Sequence, residues 1–448
     1  MPKNSMCESC GALVEVAVTD PGSSDITAAW QAQSKRLKEV QIRGGSLEKE
    51  IKEILGWDSG RVVYHSHHGY DVQMDSIYPS KEAPEVIVSV TYTDPDTKGH
   101  SNENKLQLKV GELALIKYAY PQCRVVLVIG GSKDSWLPYV LEAFKYFFDD
   151  IIFVWEPSGV FELNILKINP DSVALKHKSF WEQLSLEWHA IELKGEDFNP
   201  PTGLLRYKIA DKIKGQNPPV DHPDLVNSRI AALCLNRSKR KGGAEWNNFR
   251  KRNWNALEQS RSYFNPLESL VEISLTDAKL SFEGGIAHDI SVPSFLHQLG
   301  MENTLMSEDF VLFSEKFKCP VYIQCKASGG GRDQHGKNIQ NRAKEQVSRG
   351  ILYRSTLVGS VFTLNPKYYI WISVLDGNWG VTKRTPRKYI HMLQFAGYDH
   401  FFGSEELVDS DYEPLPSDTN PLTRFLIDEL DCRKKEETDL SIALSLSL

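Results

Sequence analysis

The run Arg124-Val125-Val126-Leu127-Val128-Ile129, closed by Gly130-Gly131, restricts the fold more than any other stretch. Unbroken apolar, β-branched character marks a strand covered on both faces, the situation of a parallel sheet with helical crossovers. The residues before it supply the rest of such a unit. Leu47 to Leu55 reads as a helix, Arg61 to Tyr64, Asp71 to Asp75 and Glu85 to Tyr92 as strands, and Lys105 to Ala119 as a helix. Trp136 to Phe148 predicts a further helix, its aromatics read as core, and Ile151 to Trp155 a further strand. Ahead of this unit, Ser24 to Arg43 predicts a separate helix, with Ser24 or Asp25 as its cap and Gly44-Gly45 as its stop.

The order helix, strands, helix, strand recurs in the C-terminal half. Ser307 to Phe313 and Val321 to Lys326 read as two strands, Gly329-Gly330-Gly331 ends the second, Asn338 to Tyr353 is an amphipathic helix, and Tyr368 to Leu375 is another strand. Alternation puts Gln324 and Lys326 on one strand face and Ile323 and Cys325 on the other. Asp309 on the preceding strand then converges with Gln324 and Lys326. An acid, a neutral amide oxygen and a lysine suit metal-assisted phosphodiester hydrolysis. Asp309 supplies a hard anionic ligand for Mg²⁺, Gln324 an amide oxygen, Cys325 its backbone carbonyl, and Lys326 orients or deprotonates the attacking water.

These residues resemble the PD-(D/E)XK nuclease superfamily of restriction and recombination nucleases, in the D…QxK variant familiar from Mrr-like and modification-dependent restriction enzymes. The resemblance implies an α/β fold in the C-terminal half, a mixed β-sheet flanked by helices as in a restriction-endonuclease-like core, with Mg²⁺ dependence and cleavage of double-stranded DNA. It also implies that the helix before the sheet carries a further metal-binding acid; Glu245, in a helix opening at Gly242 to Phe249, matches that slot loosely. The opposing reading makes Lys326 an exposed strand residue, Gln324 a polar edge position and Asp309 a turn residue. In the N-terminal unit, Ser89 and Thr91 stand where an acid and a lysine are expected. That unit is therefore either a degenerate nuclease-like fold serving DNA recognition or dimerisation, or a site using Glu50, Asp71, Asp75, Glu85 and Lys109. The polar loop Asp94 to Asn104 is either a base-reading loop or a surface turn.

A net charge of −7 disfavours nucleic acid as a partner only if charge is spread evenly. Basic runs instead flank the candidate site: Lys239-Arg240-Lys241, Arg250-Lys251-Arg252 and Lys383-Arg384, with Arg349 on the helix, read either as a solvated face or as phosphate-holding residues. Acids gather from Glu405 to Glu437. No apolar run is long enough for a membrane span, and no signal-peptide pattern opens the chain, so a cytoplasmic protein without a membrane partner is expected. Seven scattered cysteines argue against a disulfide framework, and Cys7-Glu8-Ser9-Cys10 has no second pair to complete a zinc site, His65, His67 and His68 being too distant. Phosphate-loop, nucleophile-elbow and dinucleotide signatures do not occur. His288, His297 and His335 read as structural, although His335 follows Lys326 closely in sequence.

The expected organisation is an N-terminal helical segment (1–45), an α/β domain (46–165), a proline-rich connector (166–225), the catalytic domain (226–403) and an acidic extension (404–448). The function expected is a type II restriction endonuclease cutting both strands as a homodimer. Two alternatives stand beside it: a nuclease specific for modified or branched DNA, and a noncatalytic DNA-binding protein in which Gln324 marks a decayed site.

Overall fold

The computed structural model describes residues 3–6, 13–16, 23–64, 70–93, 101–155, 168–194, 266–285, 289–301, 306–328, 337–377 and 388–435, with single positions between them (161, 205, 208–209, 229–230, 233 and 379). The chain divides into two compact units. The first comprises Met1–Glu196, Ser294–Asn303 and Lys344–Asn365, and the second Asp197–Pro293, Thr304–Ala343 and Pro366–Leu448.

The first unit opens with a hairpin of β1 (Lys3–Met6) and β2 (Leu13–Val16), followed by α1 (Ser23–Leu55), β3 (Asp58–Tyr64), β4 (Tyr70–Pro79), β5 (Pro84–Thr93), α2 (Ser101–Ala119), β6 (Arg124–Gly131), α3 (Pro138–Phe147), β7 (Asp150–Trp155) and α4 (Lys178–Lys194). Its sheet has the order β3-β4-β5-β6-β7. The β3/β4 and β4/β5 pairs are antiparallel, whereas β5/β6 and β6/β7 are parallel. As the unbroken apolar run requires, Val125 to Ile129 are buried without exception. The helix α4 buries Phe180, Trp181, Leu184 and Trp188, so much of the expected connector belongs to this unit's core.

One expectation fails here. The chain does not stop at Gly44-Gly45 but runs as a single helix from Ser23 to Leu55. Two helical glycines cost about 1–2 kcal/mol relative to alanine. The side chains that follow decide the outcome: Leu47 and Ile51 are fully buried against Val86, Val88, Val126 and Val128, a gain of about 1.5–3 kcal/mol each. Gly44 itself lies beside Tyr92.

Continuing along the chain come α5 (Pro266–Asp277), β8 (Glu283–Gly284), β9 (Ile290–Ser291), α6 (Phe295–Gln298), β10 (Ser307–Glu308), β11 (Phe310–Ser314), β12 (Cys319–Ser328), α7 (Lys337–Arg354), β13 (Ser355–Val358), β14 (Val361–Leu364), β15 (Ile370–Gly377), α8 (Lys388–Ala396) and β16 (His400–Gly403). The sheet of the second unit has the order β16-β15-β12-β11-β8, with β8/β11 and β11/β12 antiparallel and β12/β15 and β15/β16 parallel. Helix α7 starts in this unit, and its residues from Lys344 onward are grouped with the first.

Strand for strand, the two sheets have one topology. Each is preceded by a helix, begins with three antiparallel strands, and adds two parallel strands through helical crossovers. The chain is thus a mixed α/β protein with two open mixed sheets. The acidic stretch after position 404 is no appendage: Leu407, Leu422, Leu426, Leu430 and Cys432 are buried in the core with Leu270, Leu312 and Ile372. Its acids alternate with apolar side chains that the unit needs, which the charge count concealed.

Candidate functional site

Strand pairing in the second unit places a fork at the site. The β11/β12 ladder runs from Ser314 and Cys319 to Phe310 and Ile323, where it ends. Beyond that point β12 continues through Gln324 to Ser328 alongside β15. Ser307 and Glu308, the residues before Asp309, turn instead to pair with β9. Asp309 therefore stands where two strands part, one step past the ladder and opposite Gln324.

The fork brings the expected groups together. Gln324 Nε2 donates to Asp309 Oδ2 at 2.7 Å, and the Cys325 backbone N–H donates to the same oxygen at 2.5 Å. Asp309 and Gln324 are 6% and 4% exposed, while Lys326 is half-buried. Burial pushes the Asp309 carboxyl up to about 6; the Lys326 charge opposes that rise and Asp289 adds to it. Burial also drives the Cys325 thiol well above its usual range, which excludes a thiolate nucleophile at neutral pH.

Close backbone approach shapes the other side of the fork. Gly284 has φ +105°, and a Cβ there would lie 2.2 Å from the Asp309 carbonyl oxygen. The neighbouring Gly285 N–H donates to that same oxygen at 3.0 Å. Only glycine lets β8 run this close to Asp309.

Other expected residues fall elsewhere. Arg349 lies in the first unit and is 9% exposed, which removes it from the accessible phosphate-holding set. Glu245, Lys239, Arg240, Lys241, Lys383, Arg384 and His335 lie outside the described residues, as do the C-x-x-C and the loop at positions 94–100. The helix before this sheet is α5, and its acid Glu268 acts electrostatically on Cys325. Glu268 and Asp289 were not singled out from the sequence. The signals available were Pro266 opening a helix with an acid in its first turn, and an acid immediately before the short β9.

The donor set tolerates a hard cation. Magnesium takes one or two carboxylates and keeps several waters, and Asp309 with the amide oxygen of Gln324 and the carbonyl of Cys325 is a set of that kind. Turning the Gln324 amide over exchanges its donor for its acceptor at the same position. Among the described residues, no group of three or more His, Cys, Asp and Glu side chains is arranged to hold a metal. No described helix is long and apolar enough to cross a membrane.

Comparison with known proteins adds no family: no protein-family model, no curated protein and no solved structure matches the chain.

Proposed function

We propose that this chain is a Mg²⁺-dependent nuclease hydrolysing phosphodiester bonds of double-stranded DNA, with its centre at the fork holding Asp309, Gln324 and Lys326. The observation that supports this most is the convergence of Asp309 and Gln324 at 2.7 Å on parting strands, with the Lys326 charge acting on Asp309. A buried carboxylate with a pKa near 6 is costly to keep ionised, and a divalent cation is the partner that repays ionisation.

Bound Mg²⁺ supplies Lewis-acid polarisation of the phosphate and acidifies a water. In this reading Asp309 provides the anionic ligand, Gln324 the amide oxygen and Cys325 its carbonyl. Lys326 holds the attacking water and steadies a non-bridging phosphate oxygen. The water oxygen bonds to phosphorus and gives up a proton to solvent, the bridging P–O bond breaks, and the departing oxygen takes up a proton from solvent. Basic runs such as Lys239-Arg240-Lys241 and Lys383-Arg384 hold flanking phosphates. Double-strand cutting by a chain with one such centre calls for two copies, hence a homodimer, and a restriction role fits that organisation.

A substrate panel tests the reading: unmodified, methylated and branched duplexes with Mg²⁺. Discrete fragments from unmodified DNA support a sequence-specific restriction enzyme. Cutting confined to modified or branched DNA narrows it to those substrates, and cutting of none overturns it.

A further inference from the structure

The first unit contains the same fork. The β4/β5 ladder ends at Ser76 with Val88, and the next step along the strands sets Asp75 against Ser89. Asp75 Oδ2 accepts the Val90 N–H at 2.8 Å, just as Asp309 accepts the Cys325 N–H. By register Ser89 stands where Gln324 stands, and Thr91 where Lys326 does. No lysine occupies β5, but one arrives from α2: Lys109 Nζ donates to Ser89 Oγ at 2.9 Å.

We propose that this fork is a second divalent-cation site, with the carboxylates of Glu48 and Asp75 as anionic ligands and Lys109 facing the phosphate of a bound phosphodiester. The inference rests on the repeated topology and treats the Asp309 fork as its counterpart.

Charge pairing separates these carboxylates from their neighbours. Glu112 lies between Lys109 at 3.1 Å and Lys344 at 2.9 Å, so its one carboxylate is ion-paired with two ammonium groups. Gly111 permits this arrangement, because a Cβ there would sit 2.2 Å from the Lys344 carbonyl oxygen. Among the described residues neither Asp75 nor Glu48 forms a salt bridge; Asp75 has only the Val90 N–H as a hydrogen-bond donor, and the Lys109 charge acts on both carboxylates without a direct ion pair. Burial raises the pKa of both, with Asp75 adding to the rise at Glu48 and Glu112 to that at Asp75.

A second feature points independently to a ligand. Thr91, two residues past Ser89 and so on its strand face, is 4% exposed, yet its hydroxyl has no hydrogen-bond partner. Leaving a buried hydroxyl unsatisfied is unfavourable, because it gives up its hydrogen bonds to water without replacement. The water shell that a bound Mg²⁺ retains satisfies such a group.

Manganese(II) titration of the full-length protein, with free ion followed by its electron paramagnetic resonance signal, tests the site. The wild type is expected to bind two ions and Asp309→Asn one. Adding Asp75→Asn or Glu48→Gln to Asp309→Asn should weaken the remaining site at least about tenfold. Lys109→Met should bind manganese at least as tightly as the wild type, since it removes a positive charge from the fork. Far-UV circular dichroism identifies any variant that fails to fold; should Asp75→Asn fail, Glu48→Gln decides. An Asp309→Asn protein that binds no ion overturns the proposal, as does a double variant that keeps its ion. One site lost with Asp75→Asn but kept in Asp309→Asn would uphold this inference while contradicting the reading of the Asp309 fork.

Discussion

Asp309 and Gln324 face each other across the last step of a parting strand pair, 2.7 Å apart and almost wholly buried. That contact fixes what each substitution there should do. Asp309→Asn keeps an acceptor for the Cys325 N–H but removes the only carboxylate of the proposed ligand set. Its Mg²⁺-dependent cleavage rate should fall about 100-fold or more, with no loss of thermal midpoint in metal-free buffer. A loss of activity that merely tracks unfolding would count against a ligand role.

Gln324→Glu places a second carboxylate against the first. Like charges in one buried site raise each other's pKa. Without metal this variant should be less stable at neutral pH than wild type, and added Mg²⁺ or Mn²⁺ should raise its thermal midpoint more than it raises that of the wild type. Equal shifts in the two proteins would speak against a cation at this fork.

The pKa of Asp309 also carries a sign for pH. The folded carboxyl titrates near 6 against an ordinary 3.8, so the folded state binds the proton more tightly than the unfolded one. Its contribution to stability is complete below about pH 3.8 and is lost as pH rises through about 6. Asp309→Asn, which is never charged, should therefore gain stability over the wild type above pH 6 in metal-free buffer, and the gain should vanish near pH 4. Cation binding by the wild type should weaken as pH falls through 6, with a slope of one proton. Denaturant titrations across this range check both statements.

How far the sequence revealed this arrangement depended on the type of interaction. Periodicity located β4, β5, β6, β12 and α2 to within a few residues, because strands covered on both faces and amphipathic helices write their burial into local pattern. The pairing of Asp309 with Gln324 followed from spacing on adjacent strands. The unbroken α1 was hidden because glycines are local breakers while Leu47 and Ile51 are held by distant strands. Glu48 and the Lys109 to Ser89 contact were hidden for the same reason: a helix brings them to a strand, and no local spacing records it.

Gly284→Ala should be costly. The added methyl would collide with the Asp309 carbonyl oxygen at 2.2 Å, and φ of +105° is itself unfavourable for alanine. A loss of about 1–3 kcal/mol in unfolding free energy is expected, together with reduced cleavage because the Asp309 backbone must shift. Unchanged stability would mean that β8 does not approach as described.

Leu422→Ala, in the acidic C-terminal stretch, should cost about 2–5 kcal/mol, as for a fully buried leucine. Chemical denaturation measures it directly. A loss under about 0.5 kcal/mol, the range of surface substitutions, would return this stretch to the status of an appendage.

The most direct test of the central claim is cleavage of plasmid and methylated duplex DNA by the purified full-length chain with Mg²⁺, beside Lys326→Ala, Asp309→Asn and an EDTA control. The account predicts discrete cutting by the wild type, lost with EDTA and in both variants, while circular dichroism shows all three proteins folded. Cutting that persists in folded Lys326→Ala or Asp309→Asn, or a wild type that cuts neither DNA, would contradict a nuclease centre at the Asp309 fork.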